Sequence, residues 1–244
     1  MDAVRRHDQT IRLRRGAPTT KASHGPLRMT LTIGIIGPPC SGKSTIARAL
    51  SELGSTWINA DRIASEQLSA PEVIDELVAH FGDSIVENDG GLSRGAIATL
   101  VFGKDDASRQ RLASLESVIH PRVRQVITDQ LQTIMNRDDE MATLDVPLLI
   151  ESGWSLSCDE VWCTDVTPNS HGRMLAARGW TLDEAERRGA NQIPGPVKKQ
   201  RATFVISNHG NLESISTAIT QRLARLRRHN ASWRTPQHCK SADR

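Results

Sequence analysis

Gly37-Pro38-Pro39-Cys40-Ser41-Gly42-Lys43-Ser44 reads G-x-x-x-x-G-K-[ST], and the rest of the chain is organised around it. An apolar run, Ile33-Gly34-Ile35-Ile36, precedes it. Ile46, Leu50 and Leu53 follow at helical spacing, with Gly54 placed to end the helix. Strand, glycine loop and helix in that order are the context of a phosphate-binding loop. The N–H groups of such a loop and of the first helical turn converge on phosphate oxygens, and the helix dipole favours the anion. Lys43 adds a mobile positive charge and Ser44 a hydroxyl for a metal ion. The stretch predicts a nucleotide site built from Gly37, Cys40, Ser41, Gly42, Lys43, Ser44 and Thr45.

A length of 244 residues suits one α/β domain with an inserted subdomain. No apolar run approaches the ~20 residues of a membrane span, so a soluble protein with no membrane partner is expected. Cys40, Cys158, Cys163 and Cys239 form neither a dense disulfide framework nor a CxxC pair. They point to a reducing, cytoplasmic setting and give no zinc site. Tyrosine is absent and aromatic residues make up 3% of the chain, which argues against stacking platforms for nucleic acid. The net charge of +3 divides unevenly: +5 in residues 1–28, −5 in 29–227 and +3 in 228–244. The basic character therefore belongs to the two ends, and nucleic-acid binding is not expected of the body.

Working outward from the loop, residues 1–28 are Arg-rich without an apolar period. They read as a basic, disordered extension, with Met29 directly before the first strand. Thr56-Trp57-Ile58-Asn59 reads as a second strand closing a βαβ unit. Its carboxyl end delivers Asp61 toward the crevice of the phosphate loop. Asp61 also reads as the N-cap of a helix starting before Ile63-Ala64. Residues 71–137 turn helical and read as an inserted subdomain. Val73, Leu77 and Phe81 lie on one face closed by Gly82; Leu112, Leu115 and Ile119 on a second; Val123, Ile127, Leu131 and Ile134 on a third. The core then resumes over 138–227 with strands at 142–146, 161–166 and 203–206. Asp145 resembles the acidic residue that ends a strand beside a phosphate loop and holds the metal through water. Within about 168–200, two helical pieces carry Arg173, Arg178, Arg187 and Arg188 and suit a lid over phosphates. The second piece opens with a capping box, Thr181-x-x-Glu184. A last amphipathic helix precedes a basic tail, 228–244.

These motifs, taken in order, resemble the dephospho-CoA kinase family over residues Thr32 to about Leu226. The resemblance rests on Asn59-Ala60-Asp61, on Gly90-Gly91-Leu92-Ser93-Arg94, and on Leu115-Glu116-x-x-Ile119-His120-Pro121. It rests further on Asp145-Val146-Pro147-Leu148-Leu149-Ile150-Glu151, on Arg173, Arg178, Arg188 and Gln192, and on Ile206-Ser207-Asn208-x-Gly210. It implies a P-loop NTPase-type three-layer α/β/α fold: a parallel five-stranded sheet, an inserted helical CoA-binding subdomain and a helical lid. It implies ATP-dependent phosphorylation of the ribose 3′-hydroxyl of 3′-dephospho-CoA, with Mg²⁺ as cofactor. On that resemblance Lys43, Asp61 and Arg178 are catalytic, and Arg178 and Asn208 join the loop at ATP. Asp61, Arg94, His120, Leu148 and Glu151 meet the acceptor, and Ser44 holds the metal.

Three features depart from the family pattern. Pro38-Pro39-Cys40 stands where Gly-Ile-Gly is usual, which removes two N–H donors and leaves the main donors at residues 40–45. Asn59 replaces an aspartate near the metal, and Thr203 replaces an acidic residue and reads as structural. Another small-molecule kinase sharing the loop and lid remains open as a rival. A GTPase is disfavoured by the lack of an Asn-Lys-x-Asp guanine reader. A nucleic-acid module would rest on the basic ends alone.

Overall fold

Leu31–Ile36 form β1, and all six residues are buried. An apolar run with no solvent face suits a strand covered on both sides. The computed structural model describes residues 30–229, apart from 104 and 138–140. The expectations for residues 1–28 and for the tail beyond 229 lie outside the described residues.

In chain order β1 is followed by α1 (Lys43–Glu52), β2 (Thr56–Asn59), α2 (Ala60–Gln67), α3 (Pro71–Phe81), α4 (Arg94–Val101) and α5 (Asp106–Asn136). Then come β3 (Met141–Asp145), β4 (Glu160–Asp165), α6 (Pro168–Ala177), α7 (Leu182–Gly189), α8 (Gly195–Arg201), β5 (Phe204–Ser207) and α9 (Leu212–His229). The strands make one sheet of five in the order β2-β3-β1-β4-β5. β1 pairs in parallel with β3 and β4, and β4 with β5. β2 is not beside β1: β3 lies between them. Adjacent order in sequence does not require adjacency in a parallel sheet, because every connection is a crossover that can skip a position. β1 is thereby central, with the phosphate loop leaving its carboxyl end.

The chain divides into two compact units, residues 58–133 and the remainder. The core of the larger unit gathers Ile33 and Ile35 of β1, Ile46 and Leu50 of α1, Trp162 of β4 and Ile215, Ile219 and Leu223 of α9. Each such side chain, fully buried, contributes about 1.5–3 kcal/mol. Trp162 stands edge-on to Phe204, with ring centroids 5.3 Å apart. Beside it Glu160, 8% exposed, accepts from Trp162 Nε1 (3.1 Å), Thr203 Oγ1 (2.7 Å) and the Arg222 guanidinium (2.8 Å). Thr203 is therefore structural, as the sequence reading expects. A hydroxyl donor completes a buried carboxylate that a second acid at this position would repel.

In the smaller unit Val73, Leu77, Ile85, Ile97, Val101 and Val118 form a separate core. α3 ends at Gly82, whose φ of 78° continues poorly as helix in any other residue. The two apolar faces expected around residues 112–134 belong to one helix, α5, which runs through Pro121. An interior proline removes one ladder bond and costs about 3 kcal/mol. Burial of Val118, Ile119, Ile127 and Leu131 on both sides offsets that cost. The Arg122 guanidinium also donates to the Val118 carbonyl (2.7 Å) and pairs with Glu76 (2.6 Å).

After β4 three helices replace the two expected, because Pro194 interrupts the second piece and N-caps α8. The capping box is half formed. Thr181 accepts from the Glu184 N–H (3.2 Å), but the Glu184 carboxylate turns to Arg187 and Arg188 (2.5 and 2.7 Å). Those two guanidinium groups hold it below the usual carboxylate range. Among the described residues no helix is long and apolar enough to cross a membrane.

Candidate phosphate-transfer site

The loop between β1 and α1 turns on two glycines. Gly42, at φ 88°, is the N-cap of α1, and no side chain caps the helix. An uncapped helix N-terminus of this kind suits an anion. A Cβ on Gly42 would be driven into the side-chain amide of Asn208, and one on Gly37 into the hydroxyl of Thr164. The loop is closed from within by Ser41 N–H to the Pro38 carbonyl (3.3 Å) and Thr45 N–H to the Gly42 carbonyl (3.0 Å). From outside, buried Asn208 donates to the Ser41 carbonyl (2.9 Å), Ser41 and Thr164 share a hydroxyl hydrogen bond (2.5 Å), and His171 Nε2 donates to the Pro39 carbonyl (2.8 Å). Pro38 and Pro39 lack N–H groups, yet both their carbonyls are used as acceptors.

Cys40 stands where the family pattern has glycine. It has φ 55°, the only positive value at a non-glycine among the described residues. The left-handed region is where glycine costs nothing and an L side chain costs about 1–2 kcal/mol.

The Lys43 ammonium lies over the loop, donating to the carbonyls of Gly37 (3.2 Å) and Pro38 (2.9 Å). Ser44 Oγ stands 3.5 Å from Asp145 Oδ2 at the end of β3. A hydroxyl and a carboxylate are hard oxygen donors. Divalent ions that travel with phosphates take one or two protein oxygens and complete their shell with phosphate and water. The pair fits such a metal. No cluster of three His, Cys, Asp or Glu suited to a metal occurs among the described residues.

Asn59 ends β2 and its side chain accepts from Arg62 N–H (2.9 Å), so Asn59, not Asp61, is the N-cap of α2. Asparagine and aspartate cap equally well, which keeps the structural half of this position's role. Asp61 is exposed in the first turn of α2, where the dipole favours a carboxylate. In the same unit the Arg94 guanidinium donates to Ser65, four residues along α2 and on the face of Asp61. His120 is exposed on α5.

Leu148 is half-buried just beyond β3, where its carbonyl accepts from Ser152. Glu151 accepts from the Ile193 N–H (2.6 Å) ahead of α8. Arg178 is exposed at the end of α6, and it and Arg188 approach Trp180, at 5.9 and 4.1 Å from the ring centroid. Sequence reasoning missed Lys198. It stands in a basic run, Lys198-Lys199-Gln200-Arg201, and its ammonium is buried against Gly37. Lys199, next in sequence, pairs with Asp165 (2.7 Å).

The family model for dephospho-CoA kinase matches residues 31–214. A dephospho-CoA kinase of Rhodopirellula baltica is 48% identical over 199 residues, covering 82% of this chain and 92% of its own. One from Symbiobacterium thermophilum is 39% identical over 183 residues, with 74% and 75% covered. The crystal structure of TT1252 from Thermus thermophilus superposes with a TM-score of 0.66 at 33% identity, over 81% of this chain and 98% of that one. A parallel sheet with a phosphate loop on its central strand, joined to these likenesses over most of the chain, places it: the protein belongs to the dephospho-CoA kinase family.

Proposed function

We propose that the protein transfers the γ-phosphoryl group of ATP to the ribose 3′-hydroxyl of 3′-dephospho-CoA, giving coenzyme A and ADP, the last step of coenzyme A synthesis. The observation that carries this reading is the convergence of Lys43, Ser44 and Asp145 at the loop after β1, in a chain of this family. Lys43 exchanges the loop carbonyls for the β- and γ-phosphates, and the α1 N-terminus holds their remaining oxygens. Ser44 and Asp145 would hold Mg²⁺, which would supply neutralisation of phosphate charge at this place. Asp61 orients the acceptor hydroxyl and accepts its proton. Arg178 meets charge developing on the transferred group. The transition state is loose, so Asp61 serves positioning as much as basicity. Arg94, His120, Leu148 and Glu151 are assigned to the acceptor, with the helical insert as its main platform. The three described cysteines are free thiols, in keeping with a reducing, cytoplasmic setting.

The test is ADP release followed with dephospho-CoA, adenosine and pantetheine offered separately. Turnover is expected with dephospho-CoA, and preference for another acceptor would overturn the assignment. Asp61→Asn is expected to keep ATP affinity while lowering kcat at least ~100-fold. Unchanged turnover in that variant would remove Asp61 from the mechanism.

A further inference from the structure

Lysine is almost never fully buried unless its charge is answered. Lys198 on α8 is only 4% exposed. Its ammonium donates to the Gly37 carbonyl (3.2 Å) and to the side-chain oxygen of Gln192. Lys43 donates to the same Gly37 carbonyl, also at 3.2 Å. Two ammonium groups from opposite ends of the larger unit's sequence thus converge on one neutral oxygen at the start of the phosphate loop. Sharing one oxygen brings the two cations close enough to repel. Burial and the charge of Lys43 push Lys198 below the ordinary lysine value, while Glu151 and Cys163 act the other way. Lys198 also lines a cavity of about 630 Å³ walled by Pro38, Thr164, Asp165, His171 and Trp180 among others. A multiply charged anion at the loop would relieve the repulsion and give both ammonium groups acceptors of opposite charge.

We propose that Lys198 is a second ammonium ligand of the nucleotide's terminal phosphates, acting as a pair with Lys43 and leaving the Gly37 carbonyl when the polyphosphate arrives. The proposal rests on the nucleotide reading of the loop but not on the identity of the acceptor. Gln192 holds Lys198 from the turn that joins α7 to α8, so the same contact ties this helical segment to the loop.

The test is calorimetric binding of ATP, ADP and AMP to wild type, Lys198→Met, Lys198→Gln and Lys198→Arg, with no acceptor present. Lys198→Met is expected to weaken ATP and ADP by about 10- to 100-fold, the range for a hydrogen bond to a charged group. AMP, which does not reach the pair, is expected to change less than about 2-fold, and Lys198→Arg to recover part of the ATP affinity. Lys198→Gln keeps a polar donor and serves if the Met variant does not fold. The idea fails if ATP binds the neutral variants as it binds wild type. It fails equally if ATP and AMP weaken together, since that marks a packing role. Because no acceptor is present, an error about dephospho-CoA would leave these results unchanged. Wild type that binds no ATP would instead sink the nucleotide reading itself.

Discussion

Gly42→Ala perturbs the loop in two separable ways. The residue sits at φ 88°, so an alanine there carries a left-handed strain of about 1–2 kcal/mol. Its Cβ also strikes the Asn208 amide, which donates to the Ser41 carbonyl at 2.9 Å while Asn208 Oδ1 accepts from Gly210 N–H at 3.0 Å. Asn208 is 2% exposed, so displacing it leaves buried polar groups unsatisfied at about 1–3 kcal/mol. The single variant is expected to lose about 2–5 kcal/mol by urea denaturation, the two costs together. Asn208→Ala alone loses about 1–3 kcal/mol. In the double variant the clash has no target, so its loss is expected to fall short of the sum of the singles by about 1–3 kcal/mol. Additivity within about 0.5 kcal/mol would refute the reasoning, for it would mean that the new methyl finds room without moving Asn208.

Cys40→Gly removes left-handed strain of about 1–2 kcal/mol and adds about 0.4–1 kcal/mol of unfolded-state entropy, so a net gain near 0.5–1 kcal/mol is expected; a lower melting temperature would count against it. Arg222→Ala strands the Glu160 carboxylate and is expected to cost about 3 kcal/mol, at the low end for a buried pair because the arginine side chain is 23% exposed. A loss under about 1 kcal/mol would show that Trp162 and Thr203 suffice. Desolvation pushes the Cys158 thiol up to about 12, so iodoacetamide at pH 8 is expected to spare it until the protein unfolds; rapid native-state labelling seen by peptide mass spectrometry would contradict that shift. Lys198, depressed by burial and Lys43 against Glu151 and Cys163, binds fewer protons folded than unfolded in the alkaline window ending at its ordinary 10.5. Stability therefore rises with pH through that window, and urea titrations of Lys198→Met are expected to lack this part of the rise.

What the sequence made legible is what local chemistry encodes. The apolar run of β1, the glycines at 37 and 42, and the helical stripe of α1 each prescribe a backbone shape, so strand, loop and helix could be read in order. The parallel sheet and the placement of Ser44 near Asp145 followed from the same logic. Features set by distant contacts were hidden. The position of β3 between β1 and β2 depends on crossovers, not on either strand's composition. α5 survives Pro121 because burial on both sides outweighs a lost hydrogen bond, and local propensity alone argues for a break. Asn59 as the cap was readable from residue type, but the adjacent carboxylate of Asp61 drew the assignment. Lys198 had no signal at all: in a basic run, only packing tells a buried ammonium from a solvated one.

The most direct test of the central claim is the product of wild-type protein given Mg-ATP and dephospho-CoA, examined by two-dimensional proton–phosphorus NMR. The expected product is a new phosphomonoester whose phosphorus couples to the ribose H3′, formed together with ADP. Phosphate attached at any other position, or ATP consumed without a new phosphomonoester on dephospho-CoA, would contradict it.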